Sequence, residues 1–529
     1  LSAFAVITAL AGDDLPREPF IGKDNAAGYP IIHAFFSYGA LAENFEQLKG
    51  HLDPEARKIW QDAVIAVGDK LADNQGYQSN QWTHNLLGHL AVYRATGEAR
   101  FRGYFERQVN AFLDCAWGQN SKFGQHPAGF YLEEYGADGN YDNMNLHSVV
   151  RFYYHYKDLP AARPKLVAKL KHSIRANLRF KSFFWTDAGL CPTAPNSRRN
   201  ESSLMGSNPA GDYLAHREFD LARARTALTP IPATGTYPAS VFSYYAAGAD
   251  WGRRVLTEFK DGKAPKYPSG SAFYENYKHV PLTASVLELP FQAEQGAWAL
   301  PGLLAAKRSG LYLLNFYDVA GTGRERKLLG MQGGGPTMIH ADGIGQVVMS
   351  MSPRGPQRNR VESEQHLTFA CVYGFDADGA LHYSGKERTK GQWIRKGECW
   401  TISSDFAGGK LTWQYAFIDN GLRIEVSLQG SDLERAFVNL PILADKELEL
   451  TETPDRLTAS RAGTSPLTFQ LPPGATLSPP VPCHPNPNSV RRLQLPLTTE
   501  GSGTVIQIVW NLGRKGENNN EEKCHPDPD

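Results

Sequence analysis

Residues 411–428 read Leu411-Thr412-Trp413-Gln414-Tyr415-Ala416-Phe417-Ile418-Asp419-Asn420-Gly421-Leu422-Arg423-Ile424-Glu425-Val426-Ser427-Leu428. Apolar side chains occupy every second position on both sides of an Asn-Gly pair. Period two puts Leu411, Trp413, Tyr415 and Phe417 on one face of a strand, and Leu422, Ile424, Val426 and Leu428 on one face of the next. Asn-Gly between two such runs is a strong hairpin signal. The stretch therefore predicts antiparallel β structure. The same period recurs at 311–317, 346–351, 366–373 and 504–510, with further turns predicted at Asp342-Gly343 and Asp378-Gly379. Residues 309–512 thus read as an antiparallel β-sandwich domain. The Pro-rich segment 471–488 reads as an irregular connection within it, and 513–529 as a polar tail.

Toward the N-terminus the period changes to that of helices. Asp53-Pro54-Glu55 has the cap residue, first-turn proline and following acid of a helix start, with Ile59, Trp60, Ala63, Val64, Val67 and Leu71 as its apolar face. Further helices are predicted at 86–95, 101–117, 146–156, 161–184, 219–227 and 282–307. Polar, Gly-rich and aromatic-rich loops at 118–145 and 191–216 separate some of them. Loops of that length are uncommon unless they carry function, so the active cleft is expected there. Residues 21–308 are expected to form one helical domain.

The 529 residues hold 55 basic and 55 acidic side chains, a formal net charge of zero. That balance argues against a nucleic-acid or membrane-surface binder and leaves any anionic ligand to a local basic patch. No stretch approaches the roughly 20 apolar residues of a membrane span. Residues 1–12 are apolar and end near Ala9-Leu10-Ala11, like the remnant of a secretory leader, so 1–20 are set apart and a secreted or periplasmic location is expected. A buried first helix is the competing reading. The six cysteines are scattered without CxxC spacing, so neither a zinc ribbon nor a disulfide scaffold is indicated. Cys483-His484-Pro485 and Cys524-His525-Pro526 echo each other, which suits a disulfide or chance better than a metal site.

Three segments could carry chemistry. In Asn80-Gln81-Trp82-Thr83-His84-Asn85-Leu86, a polar stretch turns into a helix, and the reading puts His84 and Asn85 in its first turn, where outward N–H groups favour an anion. In the segment 129–147, carboxylates, amides and tyrosines lead into a helix on which His147, Arg151 and Tyr154 share one side. In Asn196-Ser197-Arg198-Arg199-Asn200-Glu201, adjacent arginines suit carboxylate or sulfate recognition. Caps, core hydrogen bonds and ordinary surface arginines are the structural explanations competing with each.

Together these segments resemble the polysaccharide lyases built from an incomplete α/α toroid followed by an antiparallel β-sandwich, the group of heparinase II/III-like enzymes, alginate lyases and hyaluronate lyases. Thr83-His84-Asn85-Leu86 is similar to the Asn-His pair that opens a helix in some of them, with the pair reversed. Asp138-Gly139-Asn140-Tyr141-Asp142, running up to Leu146-His147-Ser148, resembles their Asp-Gly-x-x-Tyr-Glu segment and its Tyr-His pair, one residue shorter, with His147 where their catalytic Tyr falls. Tyr153 keeps the Tyr spacing of hyaluronate-type lyases, whose motif His is Met144 here. Arg198-Arg199 echoes their Arg-rich loop. Gly333-Gly334-Gly335-Pro336 and the following Gly343-Ile344-Gly345 look like the entry to their sandwich.

The resemblance implies β-elimination on an acidic polysaccharide containing uronic acid. It implies that His84, Asn85 and Arg199 neutralise the sugar carboxylate, that His147 is the base and that Tyr153 is acid or acid/base, with Tyr153 as the base left open. Trp82, Tyr131, Asn143, Arg198 and His216 are the expected substrate-binding residues. No cofactor is required. Some relatives carry a structural zinc or calcium, for which His340, Asp342, His366 and His382 are the candidate ligands, although ordinary surface histidines are the better account. Two other classes compete: a glycoside hydrolase using carboxylates among Glu133, Glu134, Asp138 and Asp142, and a non-catalytic glycan-binding protein.

Overall fold

The computed structural model describes residues 32–73, 79–114, 124–133, 136–137, 139–182, 191–192, 204–205, 286–289, 302–317, 334–353, 361–387, 389–444, 446–484, 489–498 and 503–510. The N-terminal part is helical: α1 Ile32–Leu48, α2 Pro54–Lys70, α3 Ser79–Thr96 and α4 Ala99–Leu113 come first. A small sheet of β1 Gly124–Gln125, β2 Tyr131–Glu133 and β3 Gly136–Ala137 precedes α5 Gly139–Tyr156 and α6 Pro164–Ser182. A two-stranded pair, β4 Cys191–Pro192 and β5 Leu204–Met205, follows.

The predicted start of α2 is correct in detail: Asp53 caps it, its side chain accepting from the Ala56 N–H at 2.9 Å, with Pro54 in the first turn. Trp60, Ala63, Val64, Val67 and Leu71 are buried against Tyr38, Ala42 and Phe45 of α1. Ile59 is not on that face; it stays 39% exposed. A second apolar cluster joins α3, α4, α5 and α6 through Trp82, Leu86, Phe105, Phe112, Val149 and Leu170. The helix predicted at 219–227 and the tail 513–529 lie outside the described residues.

The C-terminal part is two antiparallel sheets. The first contains β6 Val286–Leu289, β7 Gly302–Arg308, β8 Leu311–Tyr317, β9 Met338–Ala341, β10 Gly345–Met349, β11 Ser352–Pro353, β12 Cys371–Phe375 and β13 Leu381–Tyr383. A helical turn, α7 Ser384–Glu387, leads into the second sheet, with β14 Thr389–Lys396, β15 Cys399–Phe406, β16 Gly409–Ile418 and β17 Gly421–Gln429. The chain returns to the first sheet with β18 Arg435–Leu443, adds β19 Glu449–Thr453, β20 Arg456–Ser460 and β21 Leu467–Gln470 to the second, and supplies β22 Thr476–Leu477, β23 Val481–His484 and β24 Ser489–Leu497 to the first. Last, β25 Thr504–Trp510 inserts between β17 and β21. Along β16 the burial alternates at every residue, and Leu304, Leu313, Ile339 and Val438 of one sheet share a core with Trp400, Trp413, Ile424 and Ile506 of the other. That is a sandwich, as period two requires when one face of each sheet is buried.

Four sequence expectations change here. Residues 282–307, expected as helix, contain β6 and β7. Arg308 pairs with Leu311 across Ser309 and Gly310, whose φ values of 49° and 78° are those a two-residue primed hairpin turn needs. The boundary expected at 308/309 therefore falls inside the hairpin β7–β8, and the sheet begins before it. Residues 364–366 form a 3-10 turn, so the strand expected at 366–373 starts only at Cys371. In the opening stretch the hairpin is where Asn-Gly put it, but Ile418 pairs with Gly421, so Asp419 and Asn420 make the turn. Gly421 is needed by β25 instead: a Cβ there would lie 1.8 Å from the Ile508 carbonyl oxygen.

The Gly-rich entry to the sandwich is tied down by polar bonds. The Asn315 amide donates to the Gly334 and Gly335 carbonyls at 2.9 and 3.0 Å, and the Tyr415 hydroxyl donates to Gly334 at 2.7 Å. Among the described residues, Cys371, Cys399 and Cys483 are free thiols.

Candidate functional site

Helix α3 begins at Ser79, so His84 and Asn85 lie in its second turn and not at an exposed N-terminus. The expected anion cradle of first-turn N–H groups is not formed by these two residues, because their amides are inside the helix ladder. What positions His84 is close packing against α1: a Cβ on Gly39 would come within 2.7 Å of the His84 carbonyl oxygen, so only glycine lets the helices approach this closely. Burial, and then the positive charge of Arg151, hold the His84 imidazole down at about 4, so it is neutral at pH 7.

Arg151 comes from α5 and forms an ion pair with Glu43 of α1, both side chains mostly buried. A parallel tie joins the same three helices farther along. Arg94 of α3 lies 2.9 Å from the Glu46 carboxylate of α1 and 2.5 Å from His155 Nδ1 of α5. Thus α1 contributes two carboxylates, α3 His84 and Arg94, and α5 Arg151 and His155. The sequence reading set Arg151 beside His147 and missed Glu43, Glu46 and Arg94. The available signal was the spacing of His147, Arg151 and His155, four residues apart along one stripe of a helix otherwise apolar toward the core.

His147 is 5% exposed and sits one turn before Arg151 on that stripe. Tyr153, 6% exposed, is six residues from His147 and so projects from a different side of α5. It belongs to the apolar cluster of Trp82 and Leu86, with the Lys157 ammonium 5.5 Å from its ring centre and the Tyr154 ring edge-on at 5.3 Å.

Several expected site residues are core groups. Asn85 is fully buried, its amide donating to the Leu71 carbonyl and to Gln108 Oε1, both at 3.2 Å. Trp82 is fully buried, its ring N–H 3.0 Å from the same Gln108 oxygen and its ring edge-to-face with Phe112 at 5.3 Å between centres. Tyr131 is fully buried, with its hydroxyl 3.0 Å from Ser173 Oγ, and burial raises its pKa. Asp142, a carboxylate considered for hydrolase chemistry, accepts from the Tyr131 N–H at 2.7 Å and from Asn177 Nδ2 at 2.9 Å, which tie β2, α5 and α6 together. Asn143 lies on α5. Arg198, Arg199, His216, Glu134 and Asp138 lie outside the described residues.

The candidate zinc or calcium ligands do not gather on one centre. His340 is buried on β9, 4.0 Å from Asp342; His366 Nδ1 accepts from the Glu362 N–H at 3.2 Å. His382 has one ring nitrogen 2.7 Å from Glu387 and the other 2.9 Å from Asp376. Among the described residues, no three His, Cys, Asp or Glu side chains are placed to hold a metal, and no helix is long and apolar enough to cross a membrane.

No protein-family model and no curated protein sequence matches the chain. Solved structures do. A point mutant of the chondroitin AC lyase of Streptomyces coelicolor A3 superposes with a TM-score of 0.55 at 11% identity, over 96% of this chain and 74% of that one. The same lyase in complex with chondroitin sulphate gives 0.50 at 13% identity, over 97% and 74%. This chain shares its overall fold, helices first and antiparallel sheets after, with that chondroitin AC lyase. The heparan sulfate lyase of Pedobacter heparinus also matches, at 12% identity over 97% of this chain and 75% of that one, with a TM-score of 0.47. The grouping of His84, Arg151 and Glu43 lies in the helical part, and the sandwich follows it in sequence.

Proposed function

We propose that this protein is a polysaccharide lyase that cleaves a uronic-acid-containing glycan by β-elimination, its helices forming part of an incomplete α/α toroid. The observation that carries the reading is the shared fold over nearly the whole chain, helices first and antiparallel sheets after. Fold alone does not fix an activity. The cluster on α1, α3 and α5 adds chemistry of the right kind.

Elimination removes the proton on the ring carbon that bears the carboxylate and expels the oxygen linked to the next carbon. Negative charge grows on the carboxylate as the C–H bond breaks, so nearby donors lower the barrier. Arg151, steadied by Glu43, supplies positive charge, and the neutral His84 imidazole lies within its field. In the proposed sequence His147 takes the proton and Tyr153 gives one to the departing oxygen. Arg199 is retained as a second carboxylate contact and Asn143, Arg198 and His216 as sugar contacts. Asn85, Trp82 and Tyr131 are left out, because their polar atoms are engaged in the core. Tyr153 enters on its spacing and not on a contact with His147. A polymer too large to cross a membrane places the enzyme outside the cytoplasm, in a secreted or periplasmic location.

The test is incubation with alginate, glycosaminoglycans, ulvan and glucuronan. A lyase yields an unsaturated uronate that absorbs in the ultraviolet. New reducing ends without that absorbance mean hydrolysis, and binding without cleavage means a glycan-binding protein.

A further inference from the structure

The outward stripe of α4 carries a pocket that the proposed chemistry does not use. It measures about 440 Å3 and is lined by Arg100, Gly103, Tyr104, Glu106, Arg107 and Asn110 of α4 and by Arg163 just before α6. That volume is within the roughly 300–1,000 Å3 of ligand sites. Spacings of three and four residues put Arg100, Gly103, Tyr104 and Arg107 on one helix face. Three guanidinium groups and one carboxylate line the space. The carboxylate, Glu106, is buried and already bound by Tyr156 at 2.7 Å, Arg163 at 2.9 Å and Arg102 at 3.5 Å, so its charge is compensated.

Arg107 is the arginine most readily exchanged: it pairs with Asp73 at 2.6 Å, where the aspartate is 86% exposed, and donates to the Ala72 carbonyl at 2.8 Å, whereas Arg100 is held by both Asp69 oxygens at 3.0 and 3.3 Å and by Glu98 at 2.5 Å. An exposed single-point pair such as Arg107–Asp73 contributes about 0–1 kcal/mol, so a sulfate or carboxylate held in better geometry displaces it. Tyr104 adds a ring beneath the Arg107 guanidinium, whose carbon is 5.5 Å from the ring centre.

Gly103 is the independent observation. It lies in the middle of α4, where glycine costs about 0.5–1 kcal/mol relative to alanine. A Cβ there would meet nothing within 4 Å, so no neighbour demands the missing side chain. The glycine leaves the pocket floor open.

We propose that this pocket is a second binding site for an acidic glycan segment, a sugar carboxylate or sulfate on Arg100, Arg107 and Arg163 with the ring lying over Gly103. This rests on the polysaccharide reading above, and it would let the enzyme hold a long chain while the cluster on α1, α3 and α5 acts elsewhere on it.

Two variants of the full chain test it: Arg100→Ala/Arg107→Ala, and Gly103→Asp, which puts a carboxylate into open space without disturbing packing. Calorimetric titration with chondroitin sulphate and hyaluronan tetrasaccharides is expected to give two sites per chain, falling to one in both variants. KM for the polymer is expected to rise about tenfold, while kcat and the kinetics on tetrasaccharide stay unchanged. Unaltered stoichiometry in both variants overturns the proposal, as does displacement by sodium sulfate as effective as by the tetrasaccharide, which would make the pocket a site for the ion alone. Glycan bound through these residues but never cleaved would defeat the lyase reading and leave this one standing. Polymer cleaved with the same KM by both variants would do the reverse.

Discussion

Lowering the pH from 7 to 5 should cost this protein several kcal/mol through three histidines kept neutral by the fold. Burial holds His84 and His126 at about 4 and His89 at about 3, against an ordinary value of 6.5. A group whose folded value is depressed takes up its proton first in the unfolded chain, so its contribution is intact above pH 6.5 and is lost as pH falls toward the folded value. For one such histidine the difference between pH 7 and pH 5 is about 1.8 kcal/mol. His89 is fully enclosed, with Nδ1 3.1 Å from the Tyr38 hydroxyl, and contributes all of this. With His84, and with His126 discounted for its partial exposure, the total is about 4–5 kcal/mol. Urea unfolding at pH 7, 6 and 5 measures the loss directly, and His89→Gln should flatten the slope by about 1.8 kcal/mol over the interval. A wild-type stability unchanged between pH 7 and 5, or a His89→Gln slope equal to that of the wild type, would refute the reasoning.

Other perturbations have equally definite outcomes. His382 works in the opposite sense: bonds to Asp376 and then Glu387 raise its pKa, so its contribution is full below pH 6.5 and disappears as pH rises through the raised folded value. His382→Gln should therefore destabilise the sandwich at pH 6 and match wild type in alkaline solution, and equal melting differences at both pH values would contradict the clamp. Asp142→Ala strands the Tyr131 N–H and the Asn177 amide, a loss of about 3–5 kcal/mol in denaturant melts, whereas a change under 1 kcal/mol would mean that the two donors find water. Gly421→Val drives a side chain into the Ile508 carbonyl and should cost about 3 kcal/mol, with amide exchange accelerated in β17 and β25; unchanged protection there would show that the close approach is relieved without cost.

How much of this was readable from the chain depended on whether a local signal had a local cause. The strands at 311–317 and 504–510 begin and end where period two placed them; β25 alternates because one face lies in the sandwich core, whereas β8 is buried at every position from 311 to 315. Asp53 and Pro54 located α2 because capping is settled within one turn. The misreadings arose where a partner outside the segment decides. Residues 302–308 carry two adjacent leucines and two adjacent alanines, which suit a helix as well as a strand, and only pairing with β8 across Ser309-Gly310 resolves them. Gly421 was read as a turn residue, yet its requirement comes from β25, more than eighty residues later.

The site shows the same division. His147 and Arg151 were placed together by helix periodicity. The ties from Arg151 to Glu43 and from Arg94 to Glu46 link helices far apart in sequence, and no spacing rule reports them. Asn85, Trp82 and Tyr131 had the residue types of a sugar site. Their partners Gln108 and Ser173, which absorb those polar groups into the core, come from α4 and α6.

The measurement that bears most directly on the central claim is ultraviolet absorbance during incubation of the full chain with uronate polysaccharides, run beside His147→Ala and Tyr153→Phe. The account predicts that at least one glycan yields an unsaturated uronate, with the rate falling about a hundredfold or more in each variant, as loss of a general base or acid does. Full lyase activity in both variants would overturn the residue roles. Chain cleavage without absorbance, or no cleavage of any uronate glycan, would contradict the lyase itself.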